Sequence, residues 1–312
     1  MSNAEKIKTE HGDTKTAFVT IVGRPNVGKS SLLNALIGEK IAAVSSKPQT
    51  TRTKITGVLT KGSIQYVFID TPGMHQTRDK LSEHMINAIN ESVSSIDAAL
   101  LVVDPQKKPG KPEQALLKSL KASKAPVILV VNKVDLFEDK QALIPIISEY
   151  SSMYDFKGVI PVSAISDDGL DIILDELEQF AVTGPHYFPD DKFTDQPEKV
   201  IISEIIREKL LNLLSDEVPH GIAVEIESLS EHDNKYGEGV MDVSAVIYCE
   251  RDSHKGIVIG KGGSMLKTVG RLAREDMERF FMIKVNLQLW VKVKEGWRNR
   301  EALIKNFGLA ND

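Results

Sequence analysis

A glycine-rich loop between a strand pattern and a helix pattern limits the possible folds of this chain most strongly. The loop reads Gly23-Arg-Pro-Asn-Val-Gly-Lys-Ser30, between the apolar run Ala17–Val22 and the helical pattern Lys29–Leu36. This spacing is typical of a phosphate-binding loop, in which backbone N–H groups and a helix N-terminus face phosphate oxygens. Glycine suits positions 23 and 28 because a Cβ would obstruct that approach. The sequence therefore predicts a βαβ domain with a nucleotide site, and a chance glycine-rich turn is the weaker alternative.

Strand-like and helix-like segments alternate from Ala17 to about Phe180, which predicts an α/β domain with a mostly parallel six-stranded sheet and flanking helices. Several strands are apolar almost throughout, as strands buried on both faces of a sheet are. The candidate strands are Ala17–Val22, Ile55–Thr60, Ile64–Ile69, Ala98–Val103, Val127–Val131 and Val159–Val162. The candidate helices are Lys29–Leu36, Lys80–Val93, Pro112–Ala122, Lys140–Tyr150 and Leu170–Ala181.

The composition changes after residue 182, which divides the chain into two predicted domains. Thr183–Pro197 has three prolines and no periodicity, so it predicts a linker. The order beyond it is a helix, two strands, a glycine-containing turn, a helix and a strand, which predicts an α+β domain. The predicted division is a polar tail over 1–16, a first domain over 17–182, a linker over 183–197 and a second domain over 198–312.

Cysteine content and charge exclude some classes of protein. The lone cysteine, Cys249, cannot form an intramolecular disulfide, and the longest apolar runs are far shorter than a membrane span requires. We therefore expect a cytosolic protein. The net charge is −5, so a polyanion would need a local basic surface. Arg251–Lys305 supplies one, with thirteen Lys/Arg and six Asp/Glu, whereas Val200–Glu250 has three and eleven.

The tetrapeptide Asp70-Thr-Pro-Gly73 follows the third predicted strand, so it lies at the carboxyl edge of the sheet, where open α/β folds bind ligands. Asp70 suits an indirect, water-mediated Mg²⁺ contact, Ser30 is expected to ligate the ion, and Gly73 can offer its N–H to a γ-phosphate. Lys29 is expected to reach the β- and γ-phosphates. An ordinary Pro-Gly turn would have the same sequence. The nucleotide-binding residues predicted at the two motifs and directly after the first are Gly23, Asn26, Val27, Gly28, Lys29, Ser30, Ser31, Asp70 and Gly73.

A further loop motif, Asn132-Lys-Val-Asp135, follows another apolar strand and indicates a guanine base. Asp135 can accept from N1–H and from the exocyclic amine of guanine, whereas adenine has no donors in that arrangement. Asn132 is expected to tie this loop to the phosphate loop, and Lys133 to cover the base. Ser163-Ala164-Ile165, after the last strand, fits a loop whose alanine N–H meets the guanine carbonyl, although that signal is weak by itself.

The turn Gly260-Lys261-Gly262-Gly263 predicts contact with nucleic acid in the second domain. It joins an apolar segment to a helix that carries Lys267 and Arg271. Such a turn is typical of a KH domain, in which it clamps the nucleic-acid backbone while the adjoining groove accepts unstacked bases. The order of the elements predicts the type II KH arrangement. A plain helix–helix turn is the alternative, which the basic surroundings disfavour.

From about Ala17 to Phe307, the chain resembles the Era family of bacterial Ras-like GTPases, which carry a C-terminal KH domain. The matching motifs are Gly23–Ser30, Pro48-Gln-Thr-Thr-Arg52, Asp70–Gly73 with Met74-His75, Asn132–Asp135, Ser163–Ile165 and Gly260–Gly263. The resemblance implies that the first domain is a P-loop GTPase domain. It also implies that Ser45–Gly57 is switch I, that Thr51 closes on Mg²⁺ and the γ-phosphate, and that Gly73–Lys80 begins switch II.

The same resemblance implies a biological role. It makes the chain a GTP-hydrolysing switch that binds the 3′ end of small-subunit ribosomal RNA and assists assembly of the small ribosomal subunit. It also implies partial association with the inner face of the cell membrane, for which the basic stretch 251–305 is the fitting sequence feature. We expect a monomer.

Met74 occupies the position at which Ras-like enzymes carry a glutamine that orients the attacking water. A thioether cannot orient a water by a directional hydrogen bond, which predicts slow intrinsic hydrolysis. Nothing in the sequence places His75 near the γ-phosphate, and Gln76 comes two positions too late to replace the glutamine. Relatives with an apolar residue here commonly use a potassium ion held partly by an asparagine of the phosphate loop, and Asn26 stands at that position. A bracing role for Asn26 is the equal alternative. The predicted catalytic residues are Lys29, Thr51, Gly73 and Asn26, and the predicted metal ligands are Ser30, Thr51 and Asp70.

Two rival functions stay open on the sequence. A membrane-associated signalling GTPase without a direct RNA role would be expected to carry a lipidation signal, and neither end of the sequence shows one. An RNA-binding module with a degenerate nucleotide domain would be expected to lose Lys29, Asp70 or Asp135, and all three are present.

Overall fold

The computed structural model describes residues 14–47, 50–72, 96–215 and 218–309. In these ranges the chain divides into two compact units. The first unit contains residues 14–41, 54–72 and 96–195, and the second contains residues 42–47, 50–53, 196–215 and 218–309. The predicted helix Lys80–Val93 and most of the predicted tail lie outside the described residues.

A twisted sheet and its packed helices form the first unit. The strands are β1 (Lys15–Val22), β2 (Ile55–Lys61), β3 (Ile64–Asp70), β4 (Ala98–Val103), β5 (Val127–Val131), β6 (Gly158–Pro161) and β7 (Val182–Thr183). The helices are α1 (Lys29–Ile37), α2 (Lys111–Ser123), α3 (Ile144–Met153) and α4 (Leu170–Glu178), with 3₁₀ turns at Val134–Leu136 and Lys140–Leu143.

The strand order of this sheet is β2-β3-β1-β4-β5-β6, with β2 antiparallel to β3 and the other neighbours parallel. Every residue of β4 and β5 is buried, as expected of parallel strands covered on both faces. The predicted six strands are confirmed, and the short β7 adds a seventh by pairing with the start of β1. Because parallel strands end at one edge, the loops after β1, β3, β4, β5 and β6 come together there.

The segment after β7 packs on the first unit, which differs from the predicted linker over 183–197. The amide of Gln65 in β3 is fully buried and exchanges hydrogen bonds with this segment. It accepts from Tyr187 N at 2.8 Å and Phe188 N at 3.0 Å, and it donates to Phe188 O at 2.9 Å. A backbone N–H of β2 also donates to Phe193 O at 2.8 Å. The buried amide is thus satisfied, and the edge of β2 is covered.

The second unit is a three-stranded sheet with helices packed against it. Its strands are β8 (Ala223–Asp233), β9 (Gly239–Cys249) and β10 (Lys284–Val293), in the order β10-β9-β8, with β8 antiparallel and β10 parallel to β9. Its helices are α5 (Glu198–Leu213), α6 (Asp252–Ile259), α7 (Ser264–Phe281) and α8 (Glu301–Asn306). The core includes Ile202, Ile206, Leu210, Ala245, Ile247, Val258, Ala273 and Met277. This order agrees with the predicted α+β domain.

Residues 42–47 and 50–53 belong to the second unit, where buried polar groups hold them. The guanidinium of Arg52 is buried and donates to Ile222 O at 2.6 Å and to His220 O at 3.0 Å. Arg207 of α5 donates to a main-chain carbonyl of the same segment. A buried guanidinium needs such acceptors, so this polar-looking loop is fixed in place by partners far away in sequence.

Among the helices that the structure describes, none combines the length and the apolar character needed to cross a bilayer.

Candidate nucleotide site and nucleic-acid groove

The phosphate loop between β1 and α1 has a backbone that its glycines make possible. Gly23 and Gly28 have φ values of 156° and 96°. A Cβ at Gly23 would lie 2.3 Å from Val102 O, and a Cβ at Gly28 would lie 2.2 Å from Asn132 Nδ2. Neither position therefore accepts a side chain. The loop leads into the N-terminus of α1, where the helix dipole and the N–H groups of the first turn favour an anion.

The ammonium of Lys29 folds back onto this loop. The residue is buried, and its Nζ donates to Gly23 O at 3.3 Å and to Arg24 O at 3.2 Å. Burial lowers the pKa of Lys29, and the charge of nearby Asp70 acts in the opposite direction. A cation held at this place can pair with the oxygens of a bound phosphate chain.

Ser30 and Asp70 are brought together by the sheet edge, as the motifs predict. Ser30 Oγ donates to Asp70 Oδ2 at 2.7 Å, which joins the first turn of α1 to the end of β3. Thr71 Oγ1 donates to Ile21 O at 2.9 Å, and this bond fixes the end of β3 against β1. A hydroxyl and a carboxylate are hard oxygen donors of the kind that Mg²⁺ prefers, so this pair fits a magnesium ion.

The loop after β5 is tied to its neighbours through Asn132. The Nδ2 of this residue donates to Val27 O at 2.9 Å, and its Oδ1 accepts from Ala164 N at 3.1 Å. Ser163 Oγ donates to Asp135 Oδ1 at 2.6 Å, which orients an exposed carboxylate. Three loops thus meet around an acceptor suited to guanine. The Ala164 N–H, which the sequence assigns to the guanine carbonyl, is engaged with Asn132 in this structure.

Two acidic residues that no motif indicates lie against the same loops. Glu113 of α2 forms an ion pair with Arg24 and accepts from Gly110 N at 2.9 Å. Asp104 follows β4 directly, and its Oδ2 lies 2.9 Å from Lys133 Nζ. Both carboxylates are buried. The sequence signal for them is slight, since an acidic residue after an apolar strand or in the first turn of a helix is ordinary.

For the other predicted nucleotide residues, the structure gives a position at most and no contact that tests their role. Gly73, the predicted γ-phosphate contact, lies outside the described residues, as do Met74, His75 and Gln76. Ser31 stands in the first turn of α1. Thr51 is buried and belongs to the second unit, and its contact with Mg²⁺ stays a prediction.

In the second unit, the turn predicted to contact nucleic acid joins α6 to α7. Gly260, Gly262 and Gly263 have φ values of 73°, 59° and 79°. A Cβ at Gly260 would lie 2.7 Å from Met265 Cβ, whereas a Cβ at Gly262 or Gly263 would meet no atom within 4 Å. Close packing thus explains the first glycine. The other two, beside the exposed Lys261, leave the backbone open to an approaching ligand.

A groove of about 690 Å³ lies beside this turn, between α7 and β10. Three cationic side chains, Lys267, Arg271 and Arg274, recur at helical spacing on the α7 side of the groove. Arg271 also pairs with Glu275 at 2.8 Å. The apolar residues that line the groove are Leu266, Val285, Leu287 and Leu289. An apolar floor with a cationic rim suits a single strand whose bases are unstacked.

These two sites define a class of protein. Phosphate, magnesium and base loops on one sheet edge are those of a guanine-nucleotide-binding P-loop protein, and the second unit has the turn and groove of a KH domain. The family model for the 50S ribosome-binding GTPase matches residues 18–133, and the KH domain model matches residues 217–298. The protein is a P-loop GTPase with a C-terminal KH domain.

Proteins with similar sequences identify the family to which the chain belongs. The chain is 50% identical to GTPase Era of Clostridioides difficile (strain 630) over 294 residues, which cover 94% of this chain and 98% of that protein. It is 48% identical to GTPase Era of Ruminiclostridium cellulolyticum over 294 residues, which cover 94% and 97%. The chain therefore belongs to the Era family of GTPases, as its motifs predict.

Solved structures agree with this assignment. One is the crystal structure of a variant of Aquifex aeolicus Era bound to GDP·AlF4⁻, with a TM-score of 0.90. Another is Era in complex with MgGDPNP and nucleotides 1506–1542 of 16S ribosomal RNA, also with a TM-score of 0.90. Each is 33% identical to this chain, and each alignment covers 96% of this chain and 100% of the other. The predicted fold class is thereby confirmed.

Proposed function

We propose that this chain binds GTP or GDP with Mg²⁺ in its first unit and binds the 3′ end of small-subunit ribosomal RNA in the groove beside α7. GTP hydrolysis then switches a factor that assists assembly of the small ribosomal subunit. One observation carries the proposal: a single chain combines a guanine-type site braced by several loops with an open, cationic KH groove. The relative solved with MgGDPNP and 16S ribosomal RNA nucleotides supports this combination of ligands.

The nucleotide roles follow from the contacts at the sheet edge. Lys29 pairs with phosphate oxygens and stabilises the charge that develops as the β–γ bond breaks. Ser30 would ligate Mg²⁺ and Asp70 would contact it through water, while the role of Thr51 as a further ligand stays a prediction. The ion would neutralise charge on the phosphates. Asp135 accepts from guanine. The remaining contacts come from Gly23, Asn26, Val27, Gly28, Ser31, Gly73, Asn132, Lys133, Ser163 and Ala164.

The RNA roles follow from the shape and charge of the groove. Gly262 and Gly263 let a phosphate approach the main chain, and the apolar floor receives bases. Lys261, Lys267 and Arg271 attract the phosphate backbone, so binding should weaken as salt rises. A membrane-associated signalling GTPase without an RNA role is not favoured, because it leaves this groove and its open turn without a ligand.

The proposal includes a potassium ion at the phosphate loop. Asn26 has a φ of 64°, and its carbonyl accepts from Lys133 Nζ at 2.7 Å, so the backbone that carries its side chain is well defined. The side-chain carbonyl of asparagine is a suitable hard ligand for a monovalent cation. The positive charge of such an ion would stabilise the β–γ bridge during hydrolysis, which would compensate for a Met74 that cannot orient the attacking water. A purely bracing asparagine would have the same backbone, and the salt dependence of hydrolysis separates the two.

The proposal also covers the cellular location, the oligomeric state and the domain limits of the protein. We take the protein to act as a monomer in the cytosol and partly at the inner face of the membrane, where the basic stretch 251–305 would meet anionic lipids. Domain limits of 17–182 and 198–312 also stay a proposal, and limited proteolysis can test whether the stretch 183–197, part of which packs on the first unit, is cleaved as a linker. Sedimentation with vesicles that contain phosphatidylglycerol tests the membrane part.

Crosslinking to cellular RNA tests the function as a whole. The protein is loaded with a GTP analogue or with GDP, crosslinked, and the bound RNA is sequenced. We expect reads concentrated at the 3′ end of small-subunit ribosomal RNA, with loss of enrichment in a Gly263→Asp variant. Reads without enrichment, or full enrichment in that variant, would contradict the RNA assignment. GTP hydrolysis by the same preparation reports separately on the nucleotide site.

A further inference from the structure

A buried carboxylate outside the nucleotide motifs lies at the centre of the loop contacts. Asp104 follows β4, and its side chain is 2% exposed. Its Oδ2 lies 2.9 Å from Lys133 Nζ, and its Oδ1 accepts from Gln106 N at 3.0 Å. Both oxygens are therefore fixed, one by the local turn and the other by the base loop. A charge-assisted hydrogen bond at this depth is among the stronger kinds.

The same ammonium reaches the phosphate loop. Lys133 Nζ donates to Asn26 O at 2.7 Å, so one charged group connects Asp104 to the phosphate loop. Lys133 and Asn26 have φ values of 66° and 64°, in the left-handed region that costs energy for residues other than glycine. Two strained residues on separate loops are thus joined through one contact. Such strain persists only where surrounding bonds compensate for it.

We infer that Asp104 is a positioning residue for the nucleotide site. It holds Lys133 against the phosphate loop, and this contact keeps the Lys133 stem and the adjacent Asp135 in place for the base. The inference rests on the proposed binding of guanine nucleotide at these loops. Without the carboxylate, the long lysine side chain regains its rotamers, and the left-handed turn loses the partner that stabilises it.

This role has a distinct kinetic consequence. A looser base loop should release nucleotide faster while it keeps the preference for guanine, because Asp135 itself is unchanged. The chemical step at saturating GTP should change less than nucleotide release does, because Lys133 contacts the main-chain carbonyl of Asn26 and not the Asn26 side chain assigned to the cation. Loss of Asp104 thus raises KM and the dissociation rate far more than it lowers kcat.

Dissociation of a fluorescent nucleotide tests the inference. Full-length protein is loaded with mant-GDP and Mg²⁺, mixed with excess GDP, and followed by stopped-flow fluorescence. We expect Asp104→Asn and Asp104→Ala to raise the dissociation rate about tenfold or more, as loss of a buried charged partner does. Asp97→Asn is the matched control, because its carboxylate lies at the other end of β4 and accepts from Phe18 N at 2.8 Å.

A double-mutant cycle distinguishes positioning from general loosening of the fold. Lys133→Ala should raise the dissociation rate, and adding Asp104→Ala to it should cause little further increase. Multiplicative effects of the two changes, or an Asp97→Asn rate as high as that of Asp104→Asn, would overturn the inference. An unchanged rate in folded Asp104→Asn would also overturn it. Failure of the wild-type protein to bind mant-GDP would instead refute the proposed function.

Discussion

The nucleotide site and the KH groove are built in opposite ways. At the nucleotide edge, side chains of separate loops bond to one another, as Asn132 does to Val27 O and Ser163 to Asp135. In the groove, Lys267 and Arg271 extend from one helix and are exposed. A change in the first region should therefore spread through bonded neighbours, whereas a change in the second should act locally.

The largest effect is expected at Lys29. Its replacement by alanine removes a buried cation from the phosphate loop, and we expect single-turnover GTP hydrolysis to fall about 100- to 1,000-fold. Rapid quench at saturating GTP measures this rate. Lys118→Ala, an exposed change on α2, is the matched control and should hydrolyse GTP normally. A Lys29→Ala protein with an undiminished rate would remove the phosphate loop from the mechanism.

The next largest effect concerns the open turn of the second unit. Gly263→Asp adds bulk and negative charge where a phosphate must approach, so the Kd for 3′-end ribosomal RNA should rise about 10- to 100-fold. Filter binding measures it, and basal GTP hydrolysis should stay near wild type.

A matched glycine controls for the strain of that substitution. Gly237, in the β8–β9 turn, has a φ of 75° against 79° at Gly263, and a Cβ meets no atom within 4 Å at either position. Gly237→Asp should leave RNA affinity unchanged. Equal losses in the two variants would show that the turn has no special contact with RNA.

A smaller effect is expected from the monovalent cation. Hydrolysis by the wild-type protein should be about tenfold faster in K⁺ than in Na⁺ at equal ionic strength, because a bound cation offsets charge at the β–γ bridge. Asn26→Ala and Asn26→Asp should remove the difference. Equal wild-type rates in the two salts would leave Asn26 as a structural brace and assign activation to a partner or to RNA.

The smallest effect is expected for an exposed lysine of the groove, and it best distinguishes the groove from the bonded nucleotide site. Lys267→Ala removes one exposed charge, so RNA affinity should fall only a few-fold, and the slope of log Kd against log salt should drop by about one. Lys235→Ala, in the β8–β9 turn, is the matched control and should leave the slope unchanged. A loss of RNA affinity as large as that of Gly263→Asp would mean that the residues of the groove depend on one another as much as those of the nucleotide site do.

The sequence predicts the parts of both regions that local patterns encode. Apolar strands ending in Asp70 or Asn132 indicate the sheet edge, and the glycine turns indicate both binding loops. Long-range polar contacts have no such pattern. Arg52 donates to Ile222 O across 170 positions, and its neighbours look like an ordinary polar loop.

The buried amide of Gln65 is a second contact that the sequence does not predict, and it explains why the predicted linker packs on the first unit. It is satisfied by main-chain groups more than 120 positions away, in a proline-containing stretch that has no strand or helix periodicity. Asp104 is a third case, since an acidic residue after a strand becomes informative only once its distance to Lys133 is known. Burial of a polar group fixes such contacts, and burial depends on the completed fold.

Base selection by Asp135 tests the central claim of a guanine-nucleotide switch most directly. Asn in its place offers an amide that can donate to the 2-carbonyl of xanthine, whereas guanine has an amine there. Equilibrium titration of Asp135→Asn with fluorescent GDP and XDP should therefore show a reversed preference, with RNA affinity unchanged. A variant that still prefers GDP over XDP by the wild-type margin would contradict the assignment of this loop and of the site built around it.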